Sequence, residues 1–182
     1  MTKTALLLVD IQNDYFAGGL MALPGMEAAA ANAAMLLERA RTRGEAVFHV
    51  RHIAPADAPF FRAGTKGSEI HPSVAPVAEE RIIEKGRPNS FVGTGLEDQL
   101  RGLAIGHLVI CGAMSQMCID ATTRAAVDLG FRVTLVADAC AAASVTFAGQ
   151  AVPANHVHAS IMAPLAARYA KVVTTAGMMA DA

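Results

Sequence analysis

The chain has 182 residues, 53% of them hydrophobic, 5% aromatic and 17% charged, with a formal net charge of −1 at pH 7. That length fits one domain burying roughly two-thirds of the surface its unfolded form exposes, and the apolar content excludes a disordered chain. Scattered Lys and Arg exclude the basic footprint of a nucleic-acid binder, and no apolar run approaches the ~20 residues of a membrane span.

The N-terminus enters an apolar strand at once, without the charged region and cleavage site of a signal peptide, so a cytoplasmic setting is expected. Three cysteines, Cys111, Cys118 and Cys140, are an odd number without CxxC spacing. This argues against a disulfide framework and a zinc knuckle, and predicts reduced thiols.

Leu6 to Val9 is a continuous apolar run, the pattern of a strand buried on both faces of a parallel sheet. After a loop with Gly18, Gly19, Pro24 and Gly25, the Ala/Leu/Glu/Arg-rich stretch 27–43 predicts a helix, with Gly44 placed to end it. Ala46 to Arg51 is a second strand. Residues 52–78 then form a long loop carrying Pro55, Pro59, Gly64, Gly67, Pro72 and the pair Phe60-Phe61, a candidate pocket wall. Residues 81–84 predict a third strand, 95–103 a short helix and 107–111 a fourth strand. Cys118, Ala121, Thr122, Ala125, Ala126 and Leu129 then follow amphipathic helical spacing, closed by Gly130. Strand 132–136, helix 155–169 and strand 171–174 complete the series. Such alternation predicts a single α/β domain over 1–182, with a three-layer, Rossmann-like, mostly parallel six-stranded sheet flanked by helices on both faces.

In open α/β sheets ligands bind beyond the carboxyl ends of the strands. Asp10, His52 and Lys85 end strands one, two and three, and Cys118 lies one turn beyond strand four. A thiol in the first turn of a helix meets unpaired N–H groups and the positive end of the helix dipole, which predicts a depressed pKa. A carboxylate beside it can accept its proton, a lysine can hold the two negative charges together, and the thiolate can attack an electrophilic carbon. Taken singly, each residue has a plainer reading. Cys118 suits a buried small hydrophobe, Asp10 a turn or helix cap, and Lys85 a solvated surface lysine.

Three segments, Leu7-Leu8-Val9-Asp10-Ile11-Gln12-Asn13-Asp14-Tyr15-Phe16, Glu84-Lys85-Gly86-Arg87-Pro88-Asn89-Ser90-Phe91 and Val109-Ile110-Cys111-Gly112-Ala113-Met114-Ser115-Gln116-Met117-Cys118, resemble in order the signature regions of the isochorismatase-like cysteine hydrolases. The resemblance spans nearly the whole chain. It implies a hydrolase of C–N bonds in which Asp10 is the base, Lys85 the electrostatic partner and Cys118 the nucleophile, working on a small molecule through a thioester. It also implies a cis peptide at Ala113-Met114 and an oxyanion hole formed by the backbone N–H groups of Met114 and Cys118.

Alternatives within the resemblance are a vinyl-ether hydrolase of the isochorismatase type, whose members lack the nucleophilic cysteine, and a metal-dependent nicotinamidase. Metal-binding relatives use an Asp-x-His pair, whereas this chain has His49-Val50-Arg51-His52, whose histidines point to opposite faces of a strand. His156 and His158 also diverge on a helix, and His71 stands alone in the long loop. The expectation is therefore no metal and no cofactor. A non-catalytic ligand-binding member of the fold is a further alternative. A dinucleotide enzyme is disfavoured, because no Gly-x-Gly-x-x-Gly follows the first strand.

Phe16, His52, Phe61, Phe91 and Met117 are the candidate substrate-pocket residues, suited to a flat or apolar body carrying a carboxamide. Substrate identity rests on loop geometry that spacing does not encode. The resemblance further implies a homo-oligomer, a dimer or higher.

Overall fold

The computed structural model describes residues 3–180. Six parallel strands form one sheet: β1 (Lys3–Val9), β2 (Ala46–His52), β3 (Arg81–Lys85), β4 (Ile105–Ala113), β5 (Arg132–Ala141) and β8 (Lys171–Val173). Their spatial order is β3-β2-β1-β4-β5-β8, so the chain winds outward from β1 in one direction, returns, and winds outward from β4 in the other. The crevice between β1 and β4 is the topological switch point, where such sheets place their ligands. Residues 5–9 are all buried, as expected of a central strand covered on both faces.

Helix α1 (Met26–Thr42) packs against β1, β2 and β5, and the short C-terminal α5 (Thr175–Ala180) lies beside it. α2 (Leu96–Gly102) packs on β4, while α3 (Asp120–Asp128) and α4 (Ala154–Arg168) pack on each other and on β5 and β8. Gly44, at φ 63°, ends α1 as its position predicts. Its N–H bonds to Arg41 O at 3.1 Å and that of Glu45 to Ala40 O at 2.9 Å, the paired bonds of a Schellman motif. Among the described residues, no helix is long and apolar enough to cross a membrane.

The structure departs from the sequence reading at four places. β4 and β5 run past Cys111 and Val136 to Ala113 and Ala141. A two-stranded hairpin, β6 (Val145–Phe147) with β7 (Gln150–Val152), stands apart from the main sheet. The chain adds α5 after β8. Cys118 lies not in the first turn of a regular α-helix but in a wider π-type turn, Ser115–Ile119, ahead of α3. That turn is closed by bonds from Met117 N and Ile119 N to Met114 O, at 3.0 and 3.2 Å.

Candidate active site

The floor of the switch-point crevice is built by the ends of four strands. Gly112 pairs with Val9 across it, and a Cβ at Gly112 would collide with the Val9 carbonyl, so only glycine lets β1 and β4 approach this closely. Its φ of 126° independently selects glycine. One residue later in each strand stand Asp10 and Ala113. Asp10 takes a left-handed backbone, φ 52°, with its N–H bonded to Val50 O at 2.9 Å.

Lys85 ends β3, two strands from β1, and its long stem carries the ammonium across the end of β2. Lys85 Nζ lies 2.7 Å from Asp10 Oδ2, with both side chains fully buried. The same ammonium donates to Cys118 Sγ at 3.2 Å and to Arg87 O at 3.1 Å, and lies 3.4 Å from His52 Nδ1. Ligand-type atoms of Asp10, His52 and Cys118 sit within 4.8 Å of one another, and Lys85 Nζ is their shared neighbour. The position a cation would take among these donors is thus approached by the lysine's own charge.

Burial opposes charge on Lys85, but the Asp10 carboxylate and the Cys118 sulfur hold its pKa above the ordinary value. Burial, with the Lys85 charge, keeps His52 below its ordinary value and hence neutral near pH 7. The sequence reading of Cys118 as a thiol with a depressed pKa is overturned. Burial and the Asp10 carboxylate push it up, and Lys85 only partly offsets them. At 5% exposure the sulfur is largely cut off from water, so its charged form loses the hydration that would stabilise it.

The peptide between Ala113 and Met114 is cis. Above the sulfur opens a cavity of about 240 Å³, lined by Tyr15, His52, Ala54, Ala58, Pro59, Phe60, Phe61, Pro88, Met114, Met117 and Cys118. His52, Phe61 and Met117 therefore face this cavity, together with Tyr15 and Phe60. Tyr15 and Phe60 pack on Phe61 with ring centroids 4.6 and 4.9 Å away. Phe16 and Phe91 do not line it. Phe16 stacks on His71 at 3.6 Å beside a separate cleft, and Phe91 stacks on Phe131 at 6.0 Å. Both aromatic rings found a neighbouring ring to bury against instead of the cavity. His71 also binds the hydroxyl and N–H of Ser73, and His49 pairs with Glu80 at 2.8 Å, so neither faces the sulfur.

Two residues that position the site carry no signal in spacing alone. The Gln12 side-chain amide, wholly buried, donates to His52 O and Ser68 O at 2.9 and 2.8 Å and accepts from His52 N at 2.8 Å. It fastens the end of β2 and the long loop to the end of β1. Asp14, also buried, accepts from Phe61 N at 2.7 Å and Leu20 N at 3.2 Å, fixing the aromatic wall to the loop after β1. Their burial, which only the structure shows, is sustained by these hydrogen bonds.

The chain is 50% identical over 173 residues to the isochorismatase family protein YddQ of Bacillus subtilis (strain 168), covering 94% of this chain and 96% of that one. The E. coli (strain K12) nicotinamidase is 27% identical over 179 residues, covering 77% and 84%. A crystal structure from Oleispira antarctica superposes with a TM-score of 0.96 at 47% identity, covering 98% of this chain and 97% of that one. The Isochorismatase domain profile matches residues 4–177, a span that begins in β1 and takes in Asp10, Lys85 and Cys118. By fold, by sequence and by the extent of the match, this chain belongs to the isochorismatase family of hydrolases.

Proposed function

We propose that the protein is a cysteine-dependent hydrolase that cleaves the C–N bond of a small carboxamide through a thioester. The observation that carries this reading is the buried Asp10–Lys85–Cys118 cluster, 2.7 and 3.2 Å apart, at the floor of an apolar cavity. A nicotinamidase among the relatives supports amide chemistry. The cysteine favours C–N hydrolysis over the vinyl-ether reaction.

In this mechanism Asp10 takes the Cys118 proton and the sulfur attacks the amide carbon. The resulting oxyanion is held by the N–H groups of Met114 and Cys118. The C–N bond breaks, the amine leaves with the proton carried by Asp10, and a thioester remains. Asp10 then deprotonates a water, which attacks the thioester and releases the acid, and the thiol is restored. Throughout, the Lys85 ammonium, beside both Asp10 and Cys118, stabilises the negative charge as it passes between carboxylate and sulfur.

The lining carries no cationic side chain, so the favoured substrate is an amide with an uncharged, flat body small enough for about 240 Å³. A screen of neutral aromatic and aliphatic carboxamides, with ureido acids as charged comparators, should give ammonia release in the parent and none in Cys118→Ala. Turnover retained by Cys118→Ala would sink the nucleophile assignment.

A further inference from the structure

Ser115 opens the turn that carries Cys118, and its side chain is completely buried. Its hydroxyl lies 2.8 Å from His158 Nδ1 on α4 and 3.1 Å from Ala141 O at the end of β5. A hydroxyl has one proton to give. When it donates to the Ala141 carbonyl, His158 must present Nδ1–H, and when it donates to His158, the imidazole accepts. In either arrangement the imidazole is the only side chain bonded to this hydroxyl among the described residues. Ser115 directly follows Met114, whose N–H is one proposed oxyanion donor, and lies three residues before Cys118, which supplies the other. Among the described residues, the remaining side-chain tie from this turn to the chain after β5 is a longer contact, from Gln116 Nε2 to Ala143 O at 3.4 Å.

We propose that His158 is a positioning residue, which through Ser115 holds the nucleophile turn in register with the end of β5 so that the amides of Met114 and Cys118 converge on one oxygen. The inference rests on the cysteine mechanism above. Burial keeps the His158 imidazole below its ordinary pKa, so it is neutral near pH 7. It acts there as a fixed hydrogen-bonding strut, not as a charge. An error of well under 1 Å in donor placement is enough to slow attack on a carbonyl, whereas displacement at a saturated carbon has no oxyanion to stabilise.

That contrast gives the test. With p-nitrophenyl acetate, the Cys118 sulfur attacks the acetyl carbon, p-nitrophenolate leaves and a thioester forms, a step that needs the oxyanion donors. With iodoacetamide, the same sulfur displaces iodide from a methylene and does not need them. Cys118→Ala supplies the background for both. His158→Ala should slow the p-nitrophenolate burst by about fivefold or more while alkylation changes less than about twofold, with a melting shift of under about 5 °C. His158→Asn, whose amide reaches the place of Nδ1, should restore the burst, and His158→Gln, which reaches the place of Nε2, should not. An unchanged burst in His158→Ala, or burst and alkylation falling together without rescue by Asn, overturns the positioning role. A parent protein with no burst above the Cys118→Ala background overturns the nucleophile reading itself, and this inference with it.

Discussion

Cys118 holds its proton at neutral pH, because burial and the adjacent carboxylate outweigh the ammonium beside it. In the proposed mechanism, reactivity then depends on Asp10 accepting that proton as the substrate arrives, not on a thiolate kept in waiting. Alkylation of Cys118 by iodoacetamide, followed by mass spectrometry, should therefore rise only above the ordinary thiol value of 9.0. In Asp10→Asn the midpoint should fall, since a charge that disfavours the thiolate is gone, while ammonia release drops by about 10²- to 10⁴-fold with loss of the base. Lys85→Met should cost about 3–5 kcal/mol in urea denaturation, because it leaves the fully buried Asp10 carboxylate unpaired. Asp10, Lys85 and Cys118 were legible in the sequence because each stands at or just past a strand end, within an ordered motif. Gln12 and Asp14 were not, since the partners that fix their roles, His52, Ser68 and Phe61, come from 40 to 56 residues away. Phe16 and Phe91 misled because an aromatic side chain in a loop says that it will be buried, not against what.

Elements meet at a second polar cluster, remote in role from the sulfur. Arg41 on α1 grips both oxygens of Glu80 at 2.7 and 2.9 Å, and His49 on β2 and Val77 N bind the same carboxylate at 2.8 and 3.0 Å. This ties α1 and β2 to the segment leading into β3, the strand that carries Lys85. Burial alone would raise the Glu80 pKa, but the Arg41, Val77 and His49 bonds bring it down to about 2. A depressed carboxyl contributes stability that is complete above its ordinary 4.5 and lost as pH falls through about 2. Glu80→Gln should lower stability by about 2–3 kcal/mol near pH 7, and in chemical denaturation the gap from the parent should close across that acid window. A gap independent of pH would show that the cluster acts through shape alone. The inner strands of the main sheet were legible as elements because apolar runs buried on both faces are hard to place elsewhere. The β6–β7 hairpin was not: its strands have three residues each and are largely exposed, too short for any alternation to register.

For the molecule as a whole, the seam between β1 and β4 is where its two halves join. Gly112→Ala should cost about 3 kcal/mol or more and reduce soluble yield, because the new methyl group meets the Val9 carbonyl and the backbone is left-handed. A melting temperature equal to that of the parent would mean that the seam can widen without loss. A mostly parallel sheet covered by helices on both faces was legible from alternation alone, since parallel strands require crossovers. The length of β5 was not, for a reason visible in its pairing with β4. Between the pairs Ile110↔Leu135 and Gly112↔Cys140, β5 spends three more residues than its neighbour. An odd surplus reverses the phase of the pleat, so side chains beyond the irregularity face opposite to where uninterrupted counting would put them. The slack is taken up around Asp138, whose carbonyl is held by Asn32 of α1 at 2.7 Å and whose carboxylate caps Thr175 of α5 at 2.7 Å. β5 thus runs in two stretches of opposite parity, and the far one, buried like the first, brings Ala141 to Ser115 at the turn that carries Cys118.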